Sequence, residues 1–274
     1  TDLAYSAGTG YDPNGNPRAG MGTEFADFDG DGWLDIFVTN FSEELNALFR
    51  NRGDLTFEEV TEQAGLGSGF LPLGFGTKLF DYDNDGDIDI YVTNGHVIDN
   101  IELYNPRLSY QQTDLLYRNE KGSFRDVSAE SGPAFHIKHV GRGAATGDFD
   151  NDGDLDIVVS NSGQPPLLLR NEGGNRNHWI AIKARGRESN SFGVGARVKV
   201  EAGGRTHIKE IYSAGSYLSA SDLRLYFGLG GQRRIDKLEI QWPSGRKQTL
   251  TDVAVDQTLT LDEKDSPQKA QKKY

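Results

Sequence analysis

The sequence predicts an all-β fold: a run of propeller blades, then a small β-sandwich or barrel. Three observations carry that prediction. Nearly the same nine residues occur three times, as DFDGDGWLD from Asp27, DYDNDGDID from Asp81 and DFDNDGDLD from Asp148. Each copy runs into an apolar stretch (LDIFVTN, IDIYVTN, LDIVVSN) with the two-residue alternation of a strand. The composition adds 34 glycines, several in NG, DG and GG pairs, which suits tight turns between short strands.

In every nonapeptide Asp stands at positions 1, 3, 5 and 9 and Gly at position 6. Alternating carboxylates in a tight loop converge on one point, and hard oxygen donors at that density suit Ca²⁺. The position-6 Gly permits a sharp turn where a side chain would clash. The expected carboxylate ligands are Asp27, Asp29, Asp31 and Asp35, then Asp81, Asp83, Asp85 and Asp89, then Asp148, Asp150, Asp152 and Asp156. Position 7 is expected to add a backbone carbonyl, from Trp33, Asp87 and Asp154. An EF-hand is excluded, because it needs a bidentate Glu at position 12 and flanking helices. Position 12 is Val38, Val92 and Val159, inside the strand-like runs. Each loop should therefore join two strands and hold one Ca²⁺, three sites in all.

The repeat extends beyond the loop. A glycine-rich lead-in precedes each copy (GMGTEFADF, GFGTKLFDY, GRGAATGDF), and a second apolar strand ending in Arg-Asn follows it (NALFRNR, DLLYRNE, PLLLRNE). Two copies add a further strand, TFEEVTEQAG and SFRDVSAESG. The loops start 54 and 67 residues apart, close to the length of a four-stranded blade. An insertion at His96–Gln112 accounts for the longer spacing and reads as a loop on one face.

These motifs resemble the FG-GAP/VCBS-type β-propeller repeats. The resemblance implies a Ca²⁺ in the hairpin between the first two strands of each blade, on the Asp residues named above. The opening TDLAYSAG lines up with EEVTEQAG and RDVSAESG, so the chain is expected to begin on the last strand of an earlier blade. A propeller ordinarily closes with about four to eight blades. Two readings stay open: a piece of a longer propeller, or an unusual small assembly in which the N-terminal strand completes the third blade.

Near Gly173–Asn177 the Asp repeat stops and short alternating strands follow, including HWIAIKARG, GARVKVEAGG, LRLYFGLGG and IDKLEIQWPSG. The order NHW, GVGARV, GSYLS, YFGLG, IQWPSG resembles an ASPIC/UnbV domain, an arrangement shared by the cartilage-acidic-protein family and its bacterial relatives. The expected domains are repeats over 1–174 (blades near 20–65, 74–132 and 141–174), a sandwich over 175–263, and a polar tail, 264–274, read as disordered.

Composition excludes several functions. The absence of Cys removes disulfides, thiol catalysis and c-type haem attachment and suits an exported protein. No stretch approaches 18 continuous apolar residues, so no membrane span is expected. The formal charge is −12, and the loops hold 14 of the 41 acidic residues. The acidity is thus partly a metal-ligand signature, and nothing resembles a nucleic-acid-binding patch. His136, His139 and Arg142 read as loop residues, because i, i+3 spacing brings side chains together only on a helix. His96 and His178 read as structural or surface residues. Ser213, Ser216 and Ser219 lack a nucleophile elbow, and Asn40 opens only a formal glycosylation sequon.

The sequence therefore points to a non-catalytic, calcium-stabilised interaction module outside the cytoplasm: extracellular, periplasmic or on the cell surface. Its partner would be a protein or a surface polysaccharide, within a larger envelope assembly. A carbohydrate-active hydrolase or lyase is the alternative, with carboxylates for acid–base work.

Overall fold

Alternating apolar residues and frequent turns place the chain in eighteen short strands and five sheets over residues 2–265, the part that the computed structural model describes. Of the tail expected to be disordered, residues 266–274 lie outside the described residues. Among those described, the only α-helix is the single turn Ala4–Ala7. The all-β expectation holds.

The first sheet is the meander β1 (Thr23–Ala26), β2 (Asp35–Val38), β3 (Ala47–Asn51) and β4 (Phe57–Glu59). The second repeats it with β5 (Gly74–Phe80), β6 (Asp89–Asn94), β7 (Leu115–Asn119) and β8 (Phe124–Asp126). The third has β9 (Gly141–Gly147), β10 (Asp156–Asn161) and β11 (Leu167–Leu169). In each, the Asp nonapeptide is the turn between the first two antiparallel strands, as at Ala26↔Asp35, Phe80↔Asp89 and Gly147↔Asp156.

Two more sheets follow. One is β15 (Leu225–Gly230), β12 (His178–Arg185) and β18 (Gln257–Asp262), with β12 and β18 parallel. The other orders β14 (Arg205–Glu210), β13 (Arg197–Ala202), β16 (Arg234–Gln241) and β17 (Lys247–Ala254). They share a core that includes Ile180, Val198, Phe227, Leu238 and Trp242.

The expectation of three blades plus a separate sandwich is corrected here. The five sheets form a five-blade propeller arrangement, and all five line one cavity of about 300 Å³ through Phe25, Lys78, Thr146, Ile208 and Tyr226. Ala181 and Tyr226 also join Phe80, Tyr91, Leu155 and Ile157 in a common core. The physical reason is two-sided burial: Ala181 and its neighbours Ile180 and Ile182 are all fully buried, so the middle of β12 has no solvent face. Strand periodicity shows which face is buried but not what covers it.

A buried ion pair crosses this interior. Lys78 Nζ lies 2.9 Å from Glu24 Oε1, the Tyr212 hydroxyl also donates to Glu24, and Ser216 Oγ accepts from Thr77 N at 3.0 Å. These contacts tie the second sheet and the segment after β14 to the first sheet and to each other. Removing one member of such a pair leaves the other charge buried and uncompensated.

The start of the chain also departs from expectation. Leu3–Gly8 is a helical turn closed by Gly8 at φ +83°, not a strand. The segment it resembles, Thr61–Gly65, is likewise a turn that follows a blade's last strand. The insertion contributes a 3₁₀ turn at Ile101–Leu103 and leaves Leu103 and Tyr104 exposed.

One carboxylate gives the C-terminal part a pH dependence. Glu263 is buried and accepts hydrogen bonds from the backbone N–H of Glu188 (2.8 Å) and Ser189 (2.9 Å) and from the hydroxyls of Ser189 (2.8 Å) and Ser244 (2.6 Å). Burial opposes the charge, but hydrogen bonds from Ser244, Arg187 and Ser189 outweigh it and hold the carboxyl well below the ordinary 4.5. Its stabilisation is complete above 4.5 and declines as pH falls toward the depressed folded value. Melts of Glu263→Gln should lose part of the acid sensitivity below that pH and be about 2 kcal/mol less stable at pH 7. Identical acid limbs in the two proteins would refute the assignment.

Candidate metal centres

The loops fold locally because each satisfies its own backbone. Position 1 accepts from the position-6 N–H: Asp27 from Gly32 at 2.9 Å, Asp81 from Gly86 at 2.9 Å and Asp148 from Gly153 at 3.2 Å. Position 5 accepts from position 7, as Asp31 does from Trp33 (2.8 Å), Asp85 from Asp87 (2.8 Å) and Asp152 from Asp154 (3.2 Å). The position-6 glycines sit at φ +94°, +94° and +101°, where a side chain is strained. Gly153 has a second reason: a Cβ there would lie 2.0 Å from the Trp179 ring.

Position 9 has a role that the spacing did not reveal. Asp35 accepts from the N–H groups of Phe28 (3.0 Å) and Asn51 (2.8 Å). Asp89 does so from Tyr82 (3.0 Å) and Asn119 (2.8 Å), and Asp156 from Phe149 (2.8 Å) and Asn171 (2.9 Å). Each therefore latches its loop to the end of the blade's third strand or, for Asp156, to the residue two beyond it. The partner Asn is the Asn of the repeated Arg-Asn, a signal visible in the sequence but read there only as a strand end.

Those asparagines also join neighbouring blades. Asn119 Nδ2 donates to Ile88 O at 2.9 Å and across to Phe28 O at 2.8 Å, and Asn171 Nδ2 donates to Tyr82 O at 2.6 Å. The Arg of the pair reaches position 3 in two blades: Arg50–Asp29 at 2.9 Å and Arg170–Asp150 at 2.8 Å.

The structure brings together Asp27, Asp29 and Asp35 in the first loop, Asp81, Asp83 and Asp85 in the second, and Asp148, Asp150 and Asp156 in the third. Within each trio, one ligand oxygen per residue lies within 4.8 Å of the others. Positions 1 and 3 recur in all three, whereas position 5 joins only the second trio and position 9 only the other two. The position-7 side chains turn to other work. Trp33 is half exposed, Asp87 pairs with Arg205, and Asp154 accepts from Asn175 N at 3.2 Å.

The trios fit a cation. Asp27 Oδ1 is buried without a hydrogen-bond partner. Burial pushes the Asp35 carboxyl up to about 7 and that of Asp81 to about 8, and Asp27, Asp83, Asp85 and Asp148 are also raised, burial being the largest cause in each. Such groups are carboxylates short of positive charge. The second loop has nearby cations that sequence reasoning missed: Arg205, and Lys209, whose pKa burial drives down while Asp81 opposes the shift. Arg205 and His207 of the same strand line the groove between the first two loops, and burial pushes His207 down to about 4.

The remaining candidates are structural. His136 is exposed while His139 is buried, so the two diverge. His139 Nε2 lies 2.7 Å from Asp114 Oδ1, which also accepts from the Thr93 hydroxyl at 2.8 Å. Both side chains of the pair are buried. Arg142 lies over Phe75 and donates to Gly95 O at 2.9 Å. His96, read as a structural or surface residue, is buried, and His178 pairs with Asp256 at 2.8 Å. Asn40 is buried and donates to Leu45 O, which closes the sequon to modification.

Comparison with known proteins agrees with this anatomy. A family model described as FG-GAP-like repeat matches residues 14–92 and 103–159, and one described as ASPIC and UnbV matches 186–268. Human cartilage acidic protein 1 is 27% identical over 254 residues, covering 89% of this chain and 35% of that protein. The protein of the same name from Xenopus tropicalis is 26% identical over 239 residues, covering 83% and 34%. The chain spans about a third of the length of these relatives.

Proposed function

We propose that this chain, which carries FG-GAP-like repeats and an ASPIC and UnbV domain, is a non-catalytic, calcium-stabilised interaction module acting outside the cytoplasm. One observation carries the metal half of the reading: three equivalent hairpins each gather three carboxylates, with a buried Asp27 oxygen left unpartnered. Asp27, Asp29, Asp31 and Asp35 would hold the first ion with the carbonyl of Trp33, and the corresponding residues would hold the second and third. Bound Ca²⁺ would supply the charge that lets these carboxylates stay ionised and close together. The residues themselves fix the hairpin, through the position-1 and position-9 hydrogen bonds.

The interaction half rests on broad blade faces with exposed loops and on relatives named cartilage acidic protein. Among the described residues no helix is long and apolar enough to cross a membrane. A protein or a surface polysaccharide remains the partner class.

The test is metal stoichiometry. Dialysed to equilibrium at about 10 mM calcium, above the affinity range of extracellular modules, the chain should carry three calcium ions by mass spectrometry of the metal. One or none overturns the metal reading. Calcium-dependent release of reducing ends or unsaturated sugars from a polysaccharide would overturn the non-catalytic one.

A further inference from the structure

The first two blades end in a fourth strand, and the same contacts surround each of these strands. β4 pairs with β3 through Phe49↔Glu59 and Asn51↔Phe57, and β8 pairs with β7 through Tyr117↔Asp126 and Asn119↔Phe124. The valine that follows donates to the third strand, Val60 N to Leu48 O and Val127 N to Leu116 O, each at 2.8 Å. These strands cover leucines: Leu48 is 0% exposed and Leu116 4%.

The third blade has the equivalent edge without the strand. Among the described residues nothing pairs with the outer side of β11, and Leu168, the counterpart of Leu48 and Leu116, is 46% exposed. Two further positions, Gly132 and Tyr82, mark the gap. A Cβ on Gly8 would lie 2.6 Å from Phe57 O and one on Gly65 2.5 Å from Phe124 O, so each glycine seats the next blade's fourth strand. Gly132 also holds a positive φ, +103°, and a Cβ there would meet nothing within 4 Å. Phe28 packs on Phe124 at 5.8 Å, whereas its counterpart Tyr82 faces a cavity of about 650 Å³ lined also by Leu116, Gly132, Phe135, Ile157 and Leu169.

We propose that this edge accepts an extended partner segment of the pattern aromatic–any–acidic–Val. The occupant's chemistry is read from the two filled grooves, which hold Phe57-Glu58-Glu59-Val60 and Phe124-Arg125-Asp126-Val127. The aromatic residue sits opposite Asn171 and packs between Tyr82 and Gly132, and its N–H donates to Ser131 O, as Phe124 N donates to Ala64 O at 2.7 Å. The valine covers Leu168 and donates to its carbonyl. Main-chain pairing provides affinity and the aromatic pocket provides selectivity, as in strand addition generally. An unpaired edge flanked by an apolar pocket is otherwise an aggregation liability. The inference goes beyond the module reading and holds whether or not the loops carry metal.

The probe is a fluorescently labelled peptide copying Gly122–Gly132, GSFRDVSAESG, titrated into the full chain. Saturable one-to-one binding is expected, with slowed amide exchange at Leu167–Asn171. A peptide with Ala in place of Phe, and the protein variant Leu168→Asp, should each bind at least tenfold more weakly. Leu168 is exposed enough that the variant's melting temperature should match the parent's, which confirms folding. No saturable binding, or equal affinity for Leu168→Asp, overturns the proposal.

Discussion

Adding EGTA to the calcium-loaded chain is expected to lower its melting temperature by roughly 15–30 °C. A site occupied at about 100 times its Kd stabilises by about 2.7 kcal/mol, so three sites give roughly 8 kcal/mol. A protein of this size shifts about 2–4 °C per kcal/mol. The unfolded chain has no preformed site, so the binding energy appears as folding energy. Removal of the ion also leaves like charges crowded in each hairpin, at carboxylates that are almost fully buried in all three: Asp35, Asp81 and Asp89, Asp148 and Asp156. Differential scanning fluorimetry with and without chelator, at constant ionic strength, reads the effect. An unchanged melt would refute the structural role of calcium.

The second large effect belongs to Asp89→Ala. It removes two hydrogen bonds from a carboxylate that is 1% exposed, those from Tyr82 N and Asn119 N. Bonds to charged groups are worth about 1.5–3 kcal/mol each, and deleting a buried charge returns part of that. A net loss of about 3 kcal/mol and 6–12 °C follows. The damage should cross into the first blade, because Asn119 also holds Phe28 O. Amide exchange should quicken at Phe28–Asp31 as well as in the second loop. Asp83→Ala should be milder and confined to the second blade, and Asp83→Asn milder still, since an amide oxygen can still ligate. A loss below about 1 kcal/mol for Asp89→Ala, the value of one ordinary hydrogen bond, would show that position 9 is not a latch.

The repeat made most of the site readable. Asp at positions 1, 3, 5 and 9 with Gly at 6 is a local pattern, and local patterns survive in sequence because neighbouring residues build them. The latch was harder to see. Asp35, Asp89 and Asp156 find their partners 16, 30 and 15 residues away, on or just beyond strands that the sequence located without showing which side chains would meet. Lys209 and Arg205 were invisible for the same reason, since they reach the second loop from more than 110 residues further along the chain.

The sequence by itself determined the all-β class, the three Asp hairpins, the order of strands within the first three sheets and the change of pattern near Gly173. All of these depend on periodicity and turn chemistry over a few residues, which act before any distant contact forms. Only the tertiary structure decided that the C-terminal sheets join the blades around one interior instead of standing apart. It also decided that, among the described residues, no strand pairs with the outer edge of the third blade. An alternating strand carries the same apolar face whether a sandwich partner, a propeller neighbour or a strand from elsewhere covers it, so its cover is settled by long-range packing alone.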